Sequence, residues 1–359
     1  PNSLDWPRTY NASLSVAKRL PWHNVLEVGY VGTWGRNLTG QQNTNFVPYG
    51  GLYAYSRDPL LLAAMTDSVY NTYRPYANLS AVNWTQYIGV SNYNSLQATL
   101  SRQAGDFTYL VAYTLSQAKG TVTNDNAVLD PYPDWEERDY GILPMDRTHI
   151  LNLSWSWRLP SPAKSGVAKY ILNDWNLSGI STWSSGQPFR PYFEGDLSSN
   201  AMVRAWYGTS DFNGGSGTNT PGGITPTYSC NPNAGAGNGD VGEKLWDVSC
   251  IGIPGFGQTG PAYPPNTLRS PGRSFHDLTI FKDFPLGGAR RLQLRFGAFN
   301  IFNQAYPDMI NNQDIDFHLY TSCNSQASGV PNGAGGTATV CNPNGGFYLT
   351  DNTVSNFGK

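Results

Sequence analysis

Acidic side chains are concentrated in one stretch of the sequence, where they could bind a cation. Asp130, Asp134, Glu136 and Glu137 lie within a few residues of one another. Clustered carboxylates bind Ca²⁺ in many proteins, but the D-x-D-x-D-G spacing of the EF-hand loop is absent here. A calcium site and a solvated acidic loop without metal are both open hypotheses, and the spacing favours the solvated loop.

The four cysteines form two local pairs, Cys230 with Cys250 and Cys323 with Cys341. Both pairs lie in stretches rich in Gly, Asn and Pro, and neither offers the close Cys spacing with nearby His that zinc prefers. Short spans between turn-rich stretches favour local pairing over crossed connectivities. We predict two disulfides in extracellular loops, made in an oxidising compartment, with four unpaired thiols as the alternative.

Residue patterns for catalysis are not found in the sequence. The histidines are scattered, and the motifs of serine hydrolases, zinc peptidases and P-loop NTPases are missing. A net charge of −2 without clustered Lys or Arg excludes a nucleic-acid footprint. The sequence therefore predicts a protein that is not an enzyme, needs no cofactor and binds no nucleic acid. Arg147 and His149 are expected to form loop hydrogen bonds rather than a proton or ligand site.

Few charges and many aromatic residues characterise the chain. Only 13% of its residues are charged, while 13% are aromatic, including 22 Tyr and 11 Trp. This composition suits a protein with one surface in lipid and one in water, and it also suits a secreted β-structure. No run of 18 apolar residues occurs, so the sequence offers no transmembrane helix.

Apolar and polar side chains alternate at period 2 in several segments, which predicts β-strands. In the clearest segment, Leu151, Leu153, Trp155 and Trp157 alternate with Asn, Ser and Arg residues. The segments come in pairs joined by short turns. The four pairs cover residues 8–30, 96–116, 151–180 and 276–298.

Long polar segments separate these strand pairs. They cover about residues 37–92, 120–145, 186–272 and 304–359. Short turns that alternate with long loops are typical of transmembrane barrels, whose periplasmic turns are short and whose extracellular loops are long. We predict an all-β fold, an antiparallel up-and-down transmembrane-type β-barrel or partial barrel, formed by residues 1–359 as a single region.

A few charged or amide side chains lie inside the predicted strands. Glu27, Asn152, Arg158 and Arg295 fall on the polar face of their strands, so they are expected to line the lumen. Leu151, Leu153, Trp155 and Trp157 are expected to face lipid. Under the opposite interpretation, a soluble or filamentous assembly, the same apolar residues pack against a second sheet or a neighbouring subunit.

Three segments resemble one family of membrane proteins. Residues 146–155 (DRTHILNLSW) resemble the "D-x-x-H-x-x-x-x-S" strand start of TonB-dependent receptor barrels. Residues 175–189 are similar to their "W-x-x-S-G-I … S-G-Q-P-F" strand, and residues 291–303 to their "L-Q-L-R-x-E-x-F-N-x-F-N" region, with Gly297 in place of the acidic residue. The large Oar-like receptors with carboxypeptidase-regulatory-like extensions are the nearest relatives that this resemblance indicates.

The resemblance implies a large barrel with a plug domain and a TonB box. No plug domain and no TonB box are recognisable here, so the chain looks like the C-terminal barrel portion of such a receptor. A TonB-type energy-coupling protein is an expected partner only if a plug and a TonB box exist upstream.

Two hypotheses for function follow. The first is a receptor or transporter in the outer membrane of a diderm bacterium, which contacts membrane lipid and takes up a scarce ligand in an energy-coupled reaction. The alternative is a structural protein of the extracellular surface or of a filament, which assembles with itself through amphipathic strands.

Overall fold

The computed structural model describes most of the predicted strands and only parts of the long segments between them. Backbone alone is described for the short segments after residue 304. The described residues are 6–58, 61–62, 65–122, 127–129, 131, 135–189, 192–194, 208–209, 227–234, 246–247, 250–252, 268–288, 290–304, 306–307, 316–318, 323–324, 340–341 and 357–358.

Strands account for most of the regular structure, and the helices are short. The strands are β1 (Arg8–Leu20), β2 (Asn24–Asn43), β3 (Asn83–Arg102), β4 (Phe107–Gly120), β5 (Val128–Leu129), β6 (Gly141–Ile142), β7 (His149–Arg158), β8 (Trp175–Ser184), β9 (Pro188–Phe189), β10 (Tyr192–Glu194), β11 (Thr227–Tyr228), β12 (Ile251–Gly252), β13 (Leu268–Arg269), β14 (Arg273–Pro285), β15 (Arg291–Ala298), β16 (Tyr306–Pro307), β17 (Asp316–His318), β18 (Cys323–Asn324), β19 (Val340–Cys341) and β20 (Phe357–Gly358). The helices are a 3-10 turn at Gly51–Ala54, α1 (Asp67–Asn71), α2 (Trp135–Asp139) and α3 (Val167–Leu172). Among the described residues, no helix combines the length and the apolar character needed to cross a membrane.

The long strands form one antiparallel sheet in the order β1-β2-β3-β4-β7-β8-β14-β15. Each long strand pairs with the next long strand along the chain, so the predicted up-and-down arrangement is confirmed. In the described part of the chain the sheet is open, because β1 and β15 each pair on one side only.

Tight turns join β1 to β2, β3 to β4 and β14 to β15 at one end of the sheet, here called the turn end, and the longer β7–β8 connection lies at the same end. The β1–β2 turn places Trp22 and His23 in the left-handed region, at φ 57° and 60°. Gly105 in the β3–β4 turn and Gly287 in the β14–β15 turn have φ 86° and 92°. Glycine adopts these angles without steric cost, which explains its presence at these two turns.

The first predicted loop, about residues 37–92, is wrong at both boundaries. Strand β2 continues to Asn43 and β3 begins at Asn83, so the connection covers residues 44–82. A register shift between Gly35 and Leu38, with Asn37 at φ 54°, interrupts the alternation in β2. Beyond this bulge Leu38 and Ile88 pack against a loop core, and the apolar residues Tyr87 and Ile88 are adjacent in the sequence. The period-2 pattern therefore stops before the strands do.

Compact cores lie in the long connections, at the opposite end of the sheet (the loop end). One contains Val47, Leu52, Leu62, Met65 and Tyr70. Thr209 of the third connection donates a hydrogen bond to the Val47 carbonyl, at 2.8 Å between Oγ1 and O. A second core of Val122, Ala127 and Leu129 packs against Leu38 and Ile88 of the extended strands. The long connections therefore pack on one another and on the extended β2–β3 arm.

Candidate functional site

The register of the sheet collects apolar side chains on one face. Residues directly opposite each other in neighbouring strands share a face, and one such row runs through Leu14, Tyr30, Leu96 and Leu115. We call this the apolar face. Its other members include Tyr10, Val16, Leu26, Val28, Trp34, Leu100, Tyr109, Val111, Tyr113, Leu151, Leu153, Trp155, Trp157, Leu177, Trp183, Leu278, Ile280, Phe284, Leu292, Leu294 and Phe296.

Aromatic and basic side chains lie toward the ends of this apolar face. Trp157, Trp175 and Phe284 are near the turn end, while Tyr10 and Trp34 are near the loop end. Among the described strand residues, the Lys, Arg, Asp and Glu side chains on this face are all basic. They are Arg8, Lys18, Arg36, Arg102, Lys119 and Lys282. This order of aliphatic centre, aromatic ends and basic ends matches the layers of a lipid bilayer.

Two glycines allow aromatic rings to lie flat on the apolar face. A Cβ at Gly179 would be 2.7 Å from the Trp155 indole nitrogen, and a Cβ at Gly32 would be 2.4 Å from the Trp34 ring. Since the rings occupy the space of the missing side chains, they cover backbone that would otherwise be bare. Gly179 is the glycine of the "W-x-x-S-G-I" segment, so packing of the Trp155 ring explains why that motif has a glycine at this position.

Small polar side chains predominate on the opposite face, here called the polar face. Its members include Asn11, Ser13, Ser15, Thr33, Ser95, Gln97, Thr99, Thr114, Ser116, Ser154, Ser156, Asn176, Ser178, Thr182, Asp277, Thr279 and Gln293. All four residues that the sequence nominated for the lumen, Glu27, Asn152, Arg158 and Arg295, share this face.

The four nominated residues differ in their contacts. Glu27 and Asn152 lie on one row of the register, linked through Thr99 and Ala112. The Arg158 guanidinium lies 4.0 Å from the Asp106 carboxylate, and both side chains are largely exposed. The Arg295 guanidinium lies 4.7 Å from the centre of the Phe281 ring. These polar groups are therefore spread along the face and do not converge on one point.

A buried carboxylate at the loop end contacts several groups beside this face. The Asp146 side chain is 1% exposed, and its Oδ2 lies 2.6 Å from Nη2 of Arg269. Its Oδ1 accepts a hydrogen bond of 2.7 Å from the backbone N–H of Ala118, at the end of β4. The Thr148 hydroxyl donates to Oδ2 at 3.4 Å. Asp146 therefore ties β4, the start of β7 and the third long connection together.

Arg269 extends these contacts to the third connection. Its Nη1 donates to the Gly186 carbonyl at 3.2 Å, and its own carbonyl accepts a bond of 2.8 Å from the Trp246 indole. A Cβ at Gly186 would lie 1.5 Å from the Ser270 carbonyl oxygen, so this backbone approach requires glycine. We call Asp146, Arg147, Gly186, Gln187 and Arg269 the Asp146 cluster.

Arg147 contributes a second guanidinium to the Asp146 cluster. It donates to the Pro144 carbonyl at 3.2 Å and to the Gln187 side chain at 3.1 Å, which confirms the predicted loop hydrogen bonds. Burial lowers the pKa of Arg147 most, Arg273 and Arg269 lower it further, and Asp146 acts in the opposite direction. Arginine keeps its proton despite such shifts. Three guanidiniums and one carboxylate therefore give this end of the polar face a positive local charge.

The sequence identified only part of this cluster. Asp146 and Arg147 fall in a recognisable motif, but Arg269 lies 123 residues further along the chain in a region without period-2 alternation. No local signal marks Arg269 or Arg273 as its neighbours. His149 lies at the same end, where its Nδ1 is 2.8 Å from the Tyr113 hydroxyl on the apolar face.

The residues nominated for metal or disulfide chemistry have separate outcomes. Asp130 and Asp134 lie outside the described residues, and Glu136 and Glu137 are exposed in the first turn of α2. Among the residues that the structure describes, no group of three His, Cys, Asp or Glu could hold a metal ion.

The first predicted disulfide is confirmed, since Cys230 and Cys250 are bonded. The backbone of Cys323 is paired directly opposite Cys341 in a two-residue ladder. Their side chains lie outside the description, so this second disulfide stays a prediction.

A search of curated proteins finds no match. Among solved structures, the chain is similar to the outer membrane transporter YddB from Escherichia coli, at 7% identity and a TM-score of 0.42. The match covers 87% of this chain and 30% of that transporter, so the chain spans less than a third of the protein that it matches.

The family comparison covers nearly the whole chain. Residues 1–334 match the family model of the outer membrane beta barrel domain. Membership of this family locates the chain in the outer membrane, in contact with membrane lipid. The chain belongs to the outer membrane β-barrel domain family.

Proposed function

We propose that the chain is the membrane-spanning part of an outer-membrane receptor or transporter, which takes up a scarce ligand in an energy-coupled reaction. The observation that carries this proposal is the separation of a mainly apolar from a mainly polar face across the eight long strands, which a few residues such as Leu110, Ile180 and Phe275 on the polar face interrupt. A sheet of this kind can enclose a polar path through a membrane.

In this proposal the apolar face contacts lipid and the polar face lines the lumen. Hydrocarbon accepts apolar side chains and no unpaired backbone groups, which strands satisfy by pairing with their neighbours. Glu27, Asn152, Arg158 and Arg295 then offer charged and amide groups to a passing ligand. Charges at these positions are tolerated because they do not face the hydrocarbon, where Arg or Lys costs about 2–4 kcal/mol at the midplane.

The Asp146 cluster holds the loops beside the entrance of this path. It fixes the ends of β4, β7 and the third connection through one buried carboxylate. The excess of guanidinium groups there attracts anionic solutes toward the polar face. The cluster thus supports a role in shaping the entrance, and nothing in its bonding pattern supports a catalytic reaction. The proposal includes no enzyme activity and no cofactor.

Energy coupling is proposed because several segments, including residues 146–155 and 175–189, resemble those of TonB-dependent receptors. A TonB-type protein is then the expected partner, provided that the whole protein carries a plug and a TonB box. Deleting the gene should reduce uptake of one class among a panel of labelled nutrients, and dissipating the proton-motive force should reduce it equally. An uptake rate that is unchanged when the proton-motive force is dissipated would contradict energy coupling.

Spin labels at Leu153 and Ser154 test the orientation on which this function depends. In liposomes, oxygen should relax the label at 153, and a water-soluble nickel chelate should relax the label at 154. Adjacent positions of one strand serve as controls for each other. If the label at 153 is shielded from both reagents, the residue is packed against protein and the transport proposal fails.

A structural surface or filament protein is the second candidate, favoured by the open edges of the sheet at β1 and β15. Open edges pair readily with strands of other molecules. This candidate requires that the apolar face is covered by protein. Purified chain that remains monodisperse without detergent would support it, and aggregation that detergent reverses would support the membrane barrel.

A further inference from the structure

Helix α3 exposes a group of apolar side chains at the turn end of the sheet. It lies in the connection between β7 and β8 and covers Val167–Leu172. The exposed fractions are 74% for Val167, 53% for Tyr170, 58% for Ile171 and 52% for Leu172. Because residues three and four apart lie on one side of a helix, Val167, Tyr170 and Ile171 form a single apolar stripe.

The C-terminal end of α3 is attached to the apolar face of the sheet. The indole nitrogen of Trp175, the first residue of β8, donates to the Ile171 carbonyl at 2.8 Å. The Lys282 ammonium donates to the carbonyl of Asn173, which ends the helix. Both Trp175 and Lys282 belong to the apolar face. The helix is therefore held on the side of the sheet that carries the apolar band.

Lys282 is well suited to hold this attachment. Its side chain is 2% exposed, and its Nζ lies 4.9 Å from the Phe284 ring centre and 5.5 Å from that of Trp175. Carbonyl oxygens and aromatic faces stabilise the ammonium away from water. Asn173 braces the same connection, because its amide accepts from the Ala163 N–H at 3.0 Å and donates to the Ala163 carbonyl at 2.7 Å.

We propose that α3 is an interfacial anchor that lies among the phospholipids of the membrane leaflet at the turn end. The proposal rests on the orientation in the proposed function, in which the apolar face contacts lipid. The apolar stripe of α3 then continues that face into the headgroup region. Short helices with an apolar stripe and basic flanks bind membranes in this way.

The charges around α3 favour phospholipid as its occupant. Residues 159–174, the whole β7–β8 connection, contain two lysines, Lys164 and Lys169, and one acidic residue, Asp174, so the connection has a net positive charge. Lys18 and Arg102 add basic groups near the same end of the apolar face. Lysine and arginine at this depth reach phosphate headgroups while their stems remain among apolar groups. An aqueous surface gives no comparable partner for Val167 and Ile171.

Spin labels on two sides of α3 test the anchor. Ile171→Cys and Lys169→Cys are labelled separately, and each protein is placed in liposomes of phosphatidylethanolamine and phosphatidylglycerol. We expect oxygen to relax the label at 171 more than the nickel chelate does, and the reverse at 169. Unsubstituted chain treated with the same label gives the background. Equal exposure of both labels to the nickel chelate would overturn the anchor.

The label at Leu153 separates this test from that of the proposed function. If the 153 label is reached by oxygen and the 171 label by the nickel chelate, only the anchor fails. If neither label is reached by oxygen, the orientation itself fails.

Lys282→Met tests the attachment of α3 without introducing a polar group. Loss of the Lys282–Asn173 bond should narrow the spectrum of the label at 171, because the helix becomes more mobile. An unchanged spectrum would show that Lys282 does not hold the helix.

Discussion

Large hydrophobic side chains are distributed in opposite ways in the sheet and in the long connections. In the sheet, Leu14 is 73% exposed and Phe296 is 62% exposed, whereas in the connections Leu52 and Leu62 are fully buried. The connections therefore fold as water-soluble proteins do, with apolar groups inside. The sheet has its apolar groups outside, where a lipid bilayer replaces the missing core. The connections are therefore surrounded by water, whereas the apolar face of the sheet is surrounded by lipid.

The largest loss of folding stability is expected at Asp146, which joins the sheet to the long connections. Asp146→Ala leaves Arg269, whose side chain is 25% exposed, without its carboxylate partner. Breaking a fully buried ion pair typically costs about 3–5 kcal/mol, and we expect a loss toward the lower end of that range because Arg269 keeps some contact with water. Chemical denaturation in detergent micelles, followed by proteolysis of the loop end, should show this loss. Asp106→Ala is the matched control, because the exposed Arg158–Asp106 pair contributes at most about 1 kcal/mol. Equal losses in both variants would contradict a special role for Asp146.

Replacing one leucine by alanine in each region compares how much leucine burial stabilises the connections and the sheet. Leu52→Ala should cost about 2–5 kcal/mol, because the truncated side chain leaves a cavity in a packed core. Leu14→Ala should cost clearly less, because fluid acyl chains fill the space that the side chain leaves. Hydrogen exchange of the two regions in liposomes gives both values, and a larger loss for Leu14→Ala would reverse the comparison.

Charge insertion tests which side of the sheet contacts hydrocarbon. Leu153→Arg should cost about 2–4 kcal/mol near the bilayer midplane, since the guanidinium enters lipid. Ser154→Arg is the control on the polar face and should change stability much less. Urea unfolding from liposomes measures both variants. A similar cost at both positions would indicate that the two faces have equivalent surroundings.

The smallest loss of stability is expected when a charged residue of the polar face is replaced. Arg295→Met removes the guanidinium above the Phe281 ring, a contact worth about 0.5–1 kcal/mol at an exposed site. Arg291→Met, on the same face of β15, is the control. Thermal unfolding in detergent should separate the two variants only slightly. A loss of stability larger than that of Leu153→Arg would mean that Arg295 is a major determinant of the stability of the sheet.

Much of the sheet could be predicted from the sequence, because period-2 alternation follows directly from an environment that differs on the two sides of a strand. Leu151 to Trp157 illustrate this, since every second residue is apolar and all lie on one face. The extensions of β2 and β3 could not be predicted in this way. There Trp84 and Tyr87 are exposed while Leu38 and Ile88 pack against a loop core. Apolar residues therefore do not recur at every second position of the sequence.

The Asp146 cluster could be predicted only in part, for a different reason. Contacts such as Asp146–Arg269 and Gly186–Ser270 join residues that are distant in sequence and belong to none of the eight long strands. Helix α3 was also not expected, because six residues are too few for a helical periodicity to be recognised. Its exposed apolar stripe is recognisable only when its place beside the apolar face is known.

The extension of β2 and β3 carries this part of the sheet beyond the hydrocarbon layer. At about 3.4 Å per residue, a strand of 20 residues reaches roughly 65 Å, and it still rises about 45 Å when tilted by about 45°. The hydrocarbon layer is only about 30 Å thick. The tip of this arm therefore rises about 15 Å beyond the hydrocarbon, to the level of the headgroups. The core around Leu52, which follows β2 along the chain, is thus held at the boundary between membrane and water.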